Sequence, residues 1–124
     1  MSSANESAEN YLETILVLSH KLPVVRSVDI ANEMNFKKPS VSIAMRNLRE
    51  KGYIAVTEQG FIELTDEGRK IAEAIYERHQ VISGWLISLG VPEEIAIEDA
   101  CKIEHDLAQE SFEAIKRYIA ESEK

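Results

Sequence analysis

Ser27-Val28-Asp29-Ile30-Ala31-Asn32-Glu33-Met34-Asn35-Phe36-Lys37-Lys38-Pro39-Ser40-Val41-Ser42-Ile43-Ala44-Met45-Arg46-Asn47-Leu48-Arg49-Glu50-Lys51-Gly52 is the stretch that decides the fold. Ser27 is expected to cap a short helix carrying Val28, Ile30, Ala31 and Met34. Asn35-Phe36-Lys37 makes a tight connection. Pro39 suits the first turn of a second helix, where its missing N–H costs nothing. Val41, Ala44, Met45 and Leu48 give that helix a buried stripe, and Gly52 ends it at the C′ position. Two helices joined by so short a turn, the second with basic flanks, form a helix-turn-helix.

The surrounding chain completes the pattern. Tyr53–Thr57 and Phe61–Leu64 read as two short strands around a turn containing Gly60, a hairpin wing. Upstream, Tyr11, Leu12, Ile15, Leu16 and Leu18 mark an amphipathic helix over about residues 7–19. Downstream, Thr65 is expected to cap a long helix over 66–89, stopped by Gly90 and Pro92. A further helix then starts near Glu93, and a last one holds Phe112, Ile115, Tyr118 and Ile119. The fold class is mainly α. A winged helix-turn-helix occupies residues 1–70, and an all-helical extension occupies 71–124.

With 124 residues and 44% hydrophobic content the chain can bury a core, and no apolar run approaches the roughly 20 residues that span a bilayer. The first residues lack the basic and apolar regions of a signal peptide. A single cysteine excludes an internal disulfide and suits the cytoplasm. The net charge of −8 argues against nucleic acid until its distribution is considered. Lys37 to Lys51 carries five bases against one acid, whereas Glu93 to Lys124 carries ten acids against four bases. The basic centre falls on the helix that would enter a DNA groove. Its exposed face is expected to carry Ser40, Ser42, Ile43 and Asn47 for base edges. Lys37, Lys38, Arg46 and Arg49 serve as phosphate anchors, with Pro39 opening the helix. The plainer alternative, a domain for protein contacts whose charges merely solvate a surface, is outweighed by the clustering of bases on the one helix that would enter the groove.

A second chemistry lies near the C-terminus. Cys101, Glu104 and His105 are three and four residues apart, so one helical face is expected to present a thiol, a carboxylate and an imidazole, with Ile95, Ala100 and Ile103 supplying the core contacts. Glu13 and His79 are further candidates. A mixed N/O/S set suits a transition metal rather than calcium or magnesium. Singly, each has a plainer reading as a packed or solvated side chain. A metalloenzyme using Cys101 and His105 as nucleophile and base is one rival. A winged-helix regulator sensing something other than metal is another.

Ala8-Glu9-Asn10-Tyr11-Leu12-Glu13-Thr14-Ile15, Lys38-Pro39-Ser40-Val41-Ser42, Leu64-Thr65-Asp66-Glu67-Gly68, Glu77-Arg78-His79 and Asp99-Ala100-Cys101-Lys102-Ile103-Glu104-His105 resemble the diphtheria toxin repressor family, which includes the manganese transport regulators. The likeness runs along nearly the whole chain. It implies a cytoplasmic homodimeric repressor that binds operator DNA when loaded with Fe(II) or Mn(II), with residues 71–124 as an all-helical dimerisation and metal-binding domain. No enzyme is expected, because no oxyanion-hole glycines lie near Cys101 and His105. Glu13, His79, Glu104 and His105 match metal ligands of the family. Cys101 stands where iron-responsive members have cysteine and manganese-responsive members a carboxylate. Asn10 stands where the two branches have methionine and aspartate, and it matches neither. Ser83 and Ile97 replace ligands of the iron branch's ancillary site, and the chain is expected to resemble the short members, without the C-terminal SH3-like domain of longer relatives. The soft thiolate favours Fe(II) as effector, with Mn(II) next and Zn(II) or Co(II) substituting in vitro. Ile82, Trp85, Leu86, Leu89, Ile95 and Ile97 are expected to form an exposed apolar dimer surface.

Overall fold

A computed structural model describes residues 3–123. Among these the order is α1 (Ser3–Lys21), α2 (Ser27–Met34), α3 (Lys38–Glu50), β1 (Ile54–Val56), β2 (Ile62–Leu64), α4 (Asp66–Ser88), α5 (Glu93–Ile103) and α6 (Gln109–Ser122). The architecture is mainly helical, with one small antiparallel hairpin. Two compact units are formed, one ending at Ala74 and the other beginning at Ile75.

In the first unit the apolar stripe of α1 is buried: Tyr11, Leu12, Ile15, Leu16 and Leu18 recur at helical spacing. Ile30 and Ala31 of α2, Val41, Met45 and Leu48 of α3, and Ile54 and Ile62 of the hairpin join that core. Asn35 adopts the left-handed conformation, φ 57°, and ends α2, with Phe36 N–H donating back to the Ala31 carbonyl. The start of α2 differs from expectation. Ser27 is the first helical residue and Arg26 is the cap. Asp29 accounts for the shift, because its carboxylate accepts the Arg26 N–H at 2.9 Å. A charged acceptor in the first turn also meets the positive end of the helix dipole.

The strands are shorter than predicted, three residues each, in register Ile54↔Leu64, Ala55↔Glu63 and Val56↔Ile62. Thr57 closes the turn, accepting the Phe61 N–H on Oγ1 at 3.0 Å. Ile62 N–H donates to the Val25 carbonyl at 2.7 Å, tying the wing to the α1–α2 connection. Thr65 caps α4 by accepting the Gly68 N–H, while its hydroxyl donates to the Gly52 carbonyl at 2.7 Å. Gly68 is buried directly against the Tyr53 carbonyl, where a Cβ would collide with main chain.

The second unit packs Ile82, Ala100 and Phe112 together, with Val81, Leu86 and Leu107 against them. Two expectations are corrected here. Ile82 was assigned to an exposed apolar surface, yet it is 2% exposed. Ile103, expected in the core, is 39% exposed, and Ile95, expected both as a core contact and on the apolar surface, is 50% exposed and lies on the surface. The inner stripe of α5 is instead Ala96 and Ala100, small residues four apart that allow close helix approach. The larger isoleucines therefore face outward. Trp85 and Leu86 are half-buried, while Leu89 and Ile97 are exposed as predicted.

Candidate metal centre and DNA-reading face

His79 projects from the middle of α4 and Cys101 from the last turn of α5. The expected single helical face is not what forms, because α5 stops at Ile103. Glu104 is its C-cap, and His105 lies in the turn that follows. The chain turn moves the acid and the second imidazole inward. Glu104 and His105 are fully buried, while Cys101 stays exposed.

His79, Cys101 and Glu104 each bring one donor atom to within 4.8 Å of the others. His79 Nδ1 lies 3.0 Å from Glu104 Oε2 and 3.8 Å from Cys101 Sγ. The other carboxylate oxygen, Oε1, is buried without a hydrogen-bond partner, and His105 Nε2 stands 3.4 Å from it. Hydrogen bonding to Cys101, then to Glu104, lifts the His79 imidazole from about 6.5 to about 10, outweighing the opposite effect of burial. In the metal-free protein a proton on this ring neutralises part of the cluster's negative character.

The three donors fit a transition ion. They supply nitrogen, sulfur and oxygen, one of them is a buried acid with an unsatisfied oxygen, and solvent reaches the cluster through Cys101. His105 joins at the second oxygen of Glu104 rather than within the cluster of three. Asn10 and Glu13 lie three residues apart on α1 in the first unit, both half-buried. Ser83, at a position where the iron branch carries a carboxylate, is buried and donates to the His79 carbonyl at 2.7 Å.

On α3, Lys38, Pro39, Ser40, Ser42, Ile43, Arg46, Asn47 and Arg49 are all exposed, as is the cap residue Lys37. Ile43 is 51% exposed, a large apolar side chain held in water beside polar neighbours. Val41, Met45 and Leu48 on the opposite face anchor the helix. Two cations escaped the sequence reading. Arg26 lies 5.0 Å from the Phe61 ring of the wing turn. Arg78 binds the turn after α5. The Glu77-Arg78-His79 motif named Arg78 without indicating a role for it.

Residues 4–60 match the N-terminal DNA binding domain of the iron dependent repressors, and residues 65–124 match their metal binding and dimerisation domain. The transcriptional regulator MntR of Salmonella typhimurium is 35% identical over 109 residues, 88% of this chain and 69% of the relative. The solved structure of T. acidophilum IdeR superposes with a TM-score of 0.80 at 26% identity, over 90% of this chain and 53% of that one. A manganese-dependent transcriptional repressor in complex with manganese shares the fold, with a TM-score of 0.83 at 24% identity, over 91% and 52% of the two chains. The chain spans about half the length of these solved proteins. These relatives are transcriptional regulators, and no described helix is long and apolar enough to cross a membrane. With both domain matches in chain order, this chain belongs to the iron-dependent repressor family, the diphtheria toxin repressor and manganese transport regulator group that its motifs resemble.

Proposed function

We propose that this chain is a metal-responsive transcriptional repressor of the cytoplasm that binds operator DNA as a homodimer. Residues 1–70 act as the reading domain and 71–124 as the dimerisation and metal-binding domain. The observation that carries the reading is the convergence of His79, Cys101 and Glu104, an acid whose second carboxylate oxygen is buried without a hydrogen-bond partner. Asn10, Glu13 and His105 are the further ligands this reading assigns. The exposed apolar residues Leu89, Ile95 and Ile97 suit a self-complementary interface. The exposed face of α3 suits the major groove.

A transition ion held by His79, Cys101 and Glu104 would supply positive charge beside the buried acid, where the His79 proton otherwise stands. The chain's own residues do the rest. Glu104 contributes the negative charge, Cys101 the soft donor, and Val41, Met45 and Leu48 hold α3 so that Ser40, Ile43 and Asn47 meet base edges while Lys37, Lys38, Arg46 and Arg49 meet phosphates. A dimer reads half-sites about one DNA turn apart, ~34 Å. Regulation requires tighter metal binding by the DNA-competent state, and a tenfold effect corresponds to about 1.4 kcal/mol.

The Cys101 thiolate favours Fe(II). The curated relative MntR and the manganese-bound repressor favour Mn(II), and the relatives carry the greater weight. Zn(II) and Co(II) are stand-ins for use in vitro. Anaerobic operator binding across matched free concentrations of each metal tests both parts. DNA binding unchanged by every metal would overturn the metal-responsive reading. Activation by Fe(II) at lower free concentration than Mn(II) would restore iron as the effector.

A further inference from the structure

Arg78 stands one residue before His79 on α4. Its Nη1 donates to the main-chain carbonyls of Glu104 at 3.0 Å and Leu107 at 2.7 Å, and its Nη2 donates to Gln109 Oε1 at 2.9 Å. The guanidinium carbon also lies 5.3 Å from the centre of the Phe112 ring, which is in the core of the unit. One planar group therefore spans the cap of α5, the connection after it and the first residue of α6. Carbonyls at a helix C-terminus lack helical partners and sit at the negative end of the dipole. A guanidinium fork can satisfy several such acceptors at once, which a lysine ammonium on its flexible stem does less well.

We propose that Arg78 is a positioning residue of the metal centre, holding the turn that carries Glu104 and His105 in ligand-ready geometry. The proposal rests on the metal-binding reading and extends it to a residue that donates nothing to the metal. Adjacent positions on one helix point about 100° apart, so Arg78 and His79 do not compete for one atom. His79 takes the Glu104 carboxylate and Arg78 takes its carbonyl. Both ends of the same residue are thus fixed from α4. Without the main-chain grip, the Glu104 carboxylate would sample orientations in which its oxygens no longer face Cys101 and His79. Metal sites tolerate ligand displacements of only about 0.5 Å.

The test uses the full chain with Co(II) as the probe ion. Arg78→Lys is expected to lower Co(II) affinity about 10- to 100-fold, the usual cost of losing a group that orients ligands. It should also speed hydrogen exchange of the metal-free protein at Glu104 and Asp106, whose N–H groups close the end of α5. Lys116→Gln breaks the 2.7 Å link from α6 to Glu77 on α4 without touching the turn, and it should leave Co(II) affinity at the wild-type value. Equal affinity of Arg78→Lys and wild type would overturn the positioning role alone. A matching loss in Lys116→Gln would overturn it too, by showing general loosening. Wild-type protein that binds no Co(II) would overturn this role and the metal reading together. If Arg78→Lys does not fold, Gln109→Ala removes one anchor of the guanidinium. A several-fold affinity loss then supports the proposal, and an unchanged affinity refutes it.

Discussion

Glu104 is fully buried, and its carboxylate meets His79 Nδ1 at 3.0 Å. A buried acid needs a compensating charge or hydrogen bond. In the metal-free protein the imidazole provides it. The same imidazole stands 3.8 Å from the Cys101 sulfur, so one ring faces both other donors of the cluster.

That arrangement sets a pH dependence with two opposite signs. His79 is raised from 6.5 to about 10 on folding. Its contribution to metal-free stability is therefore fully present below about 6.5 and lost as pH rises through about 10. Metal binding runs the other way, because the proton must leave. Co(II) affinity should rise about tenfold per pH unit from 6 to 8 for one displaced proton. A flat affinity profile, with metal-free stability insensitive to pH between 7 and 10, would sink this account.

Metal preference should follow the donor at position 101. Replacing the thiol by a carboxylate in Cys101→Asp, together with Asn10→Asp, makes the set harder and should shift selectivity toward Mn(II) over Fe(II) by tenfold or more, roughly 1.4 kcal/mol. The ratio of the two dissociation constants, measured anaerobically, is the readout. A ratio unmoved by the double change would remove Cys101 and Asn10 from the donor set.

On α3 the exposed residues divide by role. Arg46→Ala and Arg49→Ala should each weaken binding to all DNA sequences and reduce the salt slope by about one. Ser40→Ala and Asn47→Ala should instead change preference among sites, by about 1–3 kcal/mol per base contact. Competition binding with randomised operators separates the two patterns. Unaltered affinity for the best operator after loss of both arginines would refute the docking.

Gly68→Ala tests the seam between the hairpin and α4. Alanine would gain about 1 kcal/mol of helix propensity. The added Cβ would strike the Tyr53 carbonyl, main chain that cannot swing aside. Overpacking of this kind costs about 1–3 kcal/mol, so the net change in chemical denaturation should be destabilising. A variant as stable as wild type would show that the seam is looser than its packing implies.

Much of this protein was legible in the chain. The spacing of Leu12, Ile15 and Leu16, and of Val41, Met45 and Leu48, specifies amphipathic helices because only one face of each is apolar. Gly52, Gly60 and Gly90 all take positive φ where turns were expected, since glycine adopts that conformation without steric cost. The ligand types at 79, 101 and 104 were likewise readable as a mixed donor set. Tertiary structure alone decided which way α5 faces, because that helix offers both an alanine stripe and an isoleucine stripe, and periodicity cannot rank two apolar faces. Close packing against Ile82 and Phe112 selected Ala100 and turned Ile95 and Ile97 outward. The helix ends at Ile103, and the turn after it buries Glu104 and His105 while Cys101 stays in solvent. The role of Arg78 was hidden for the same reason: its partners are main-chain carbonyls, and a carbonyl has no signature in the sequence.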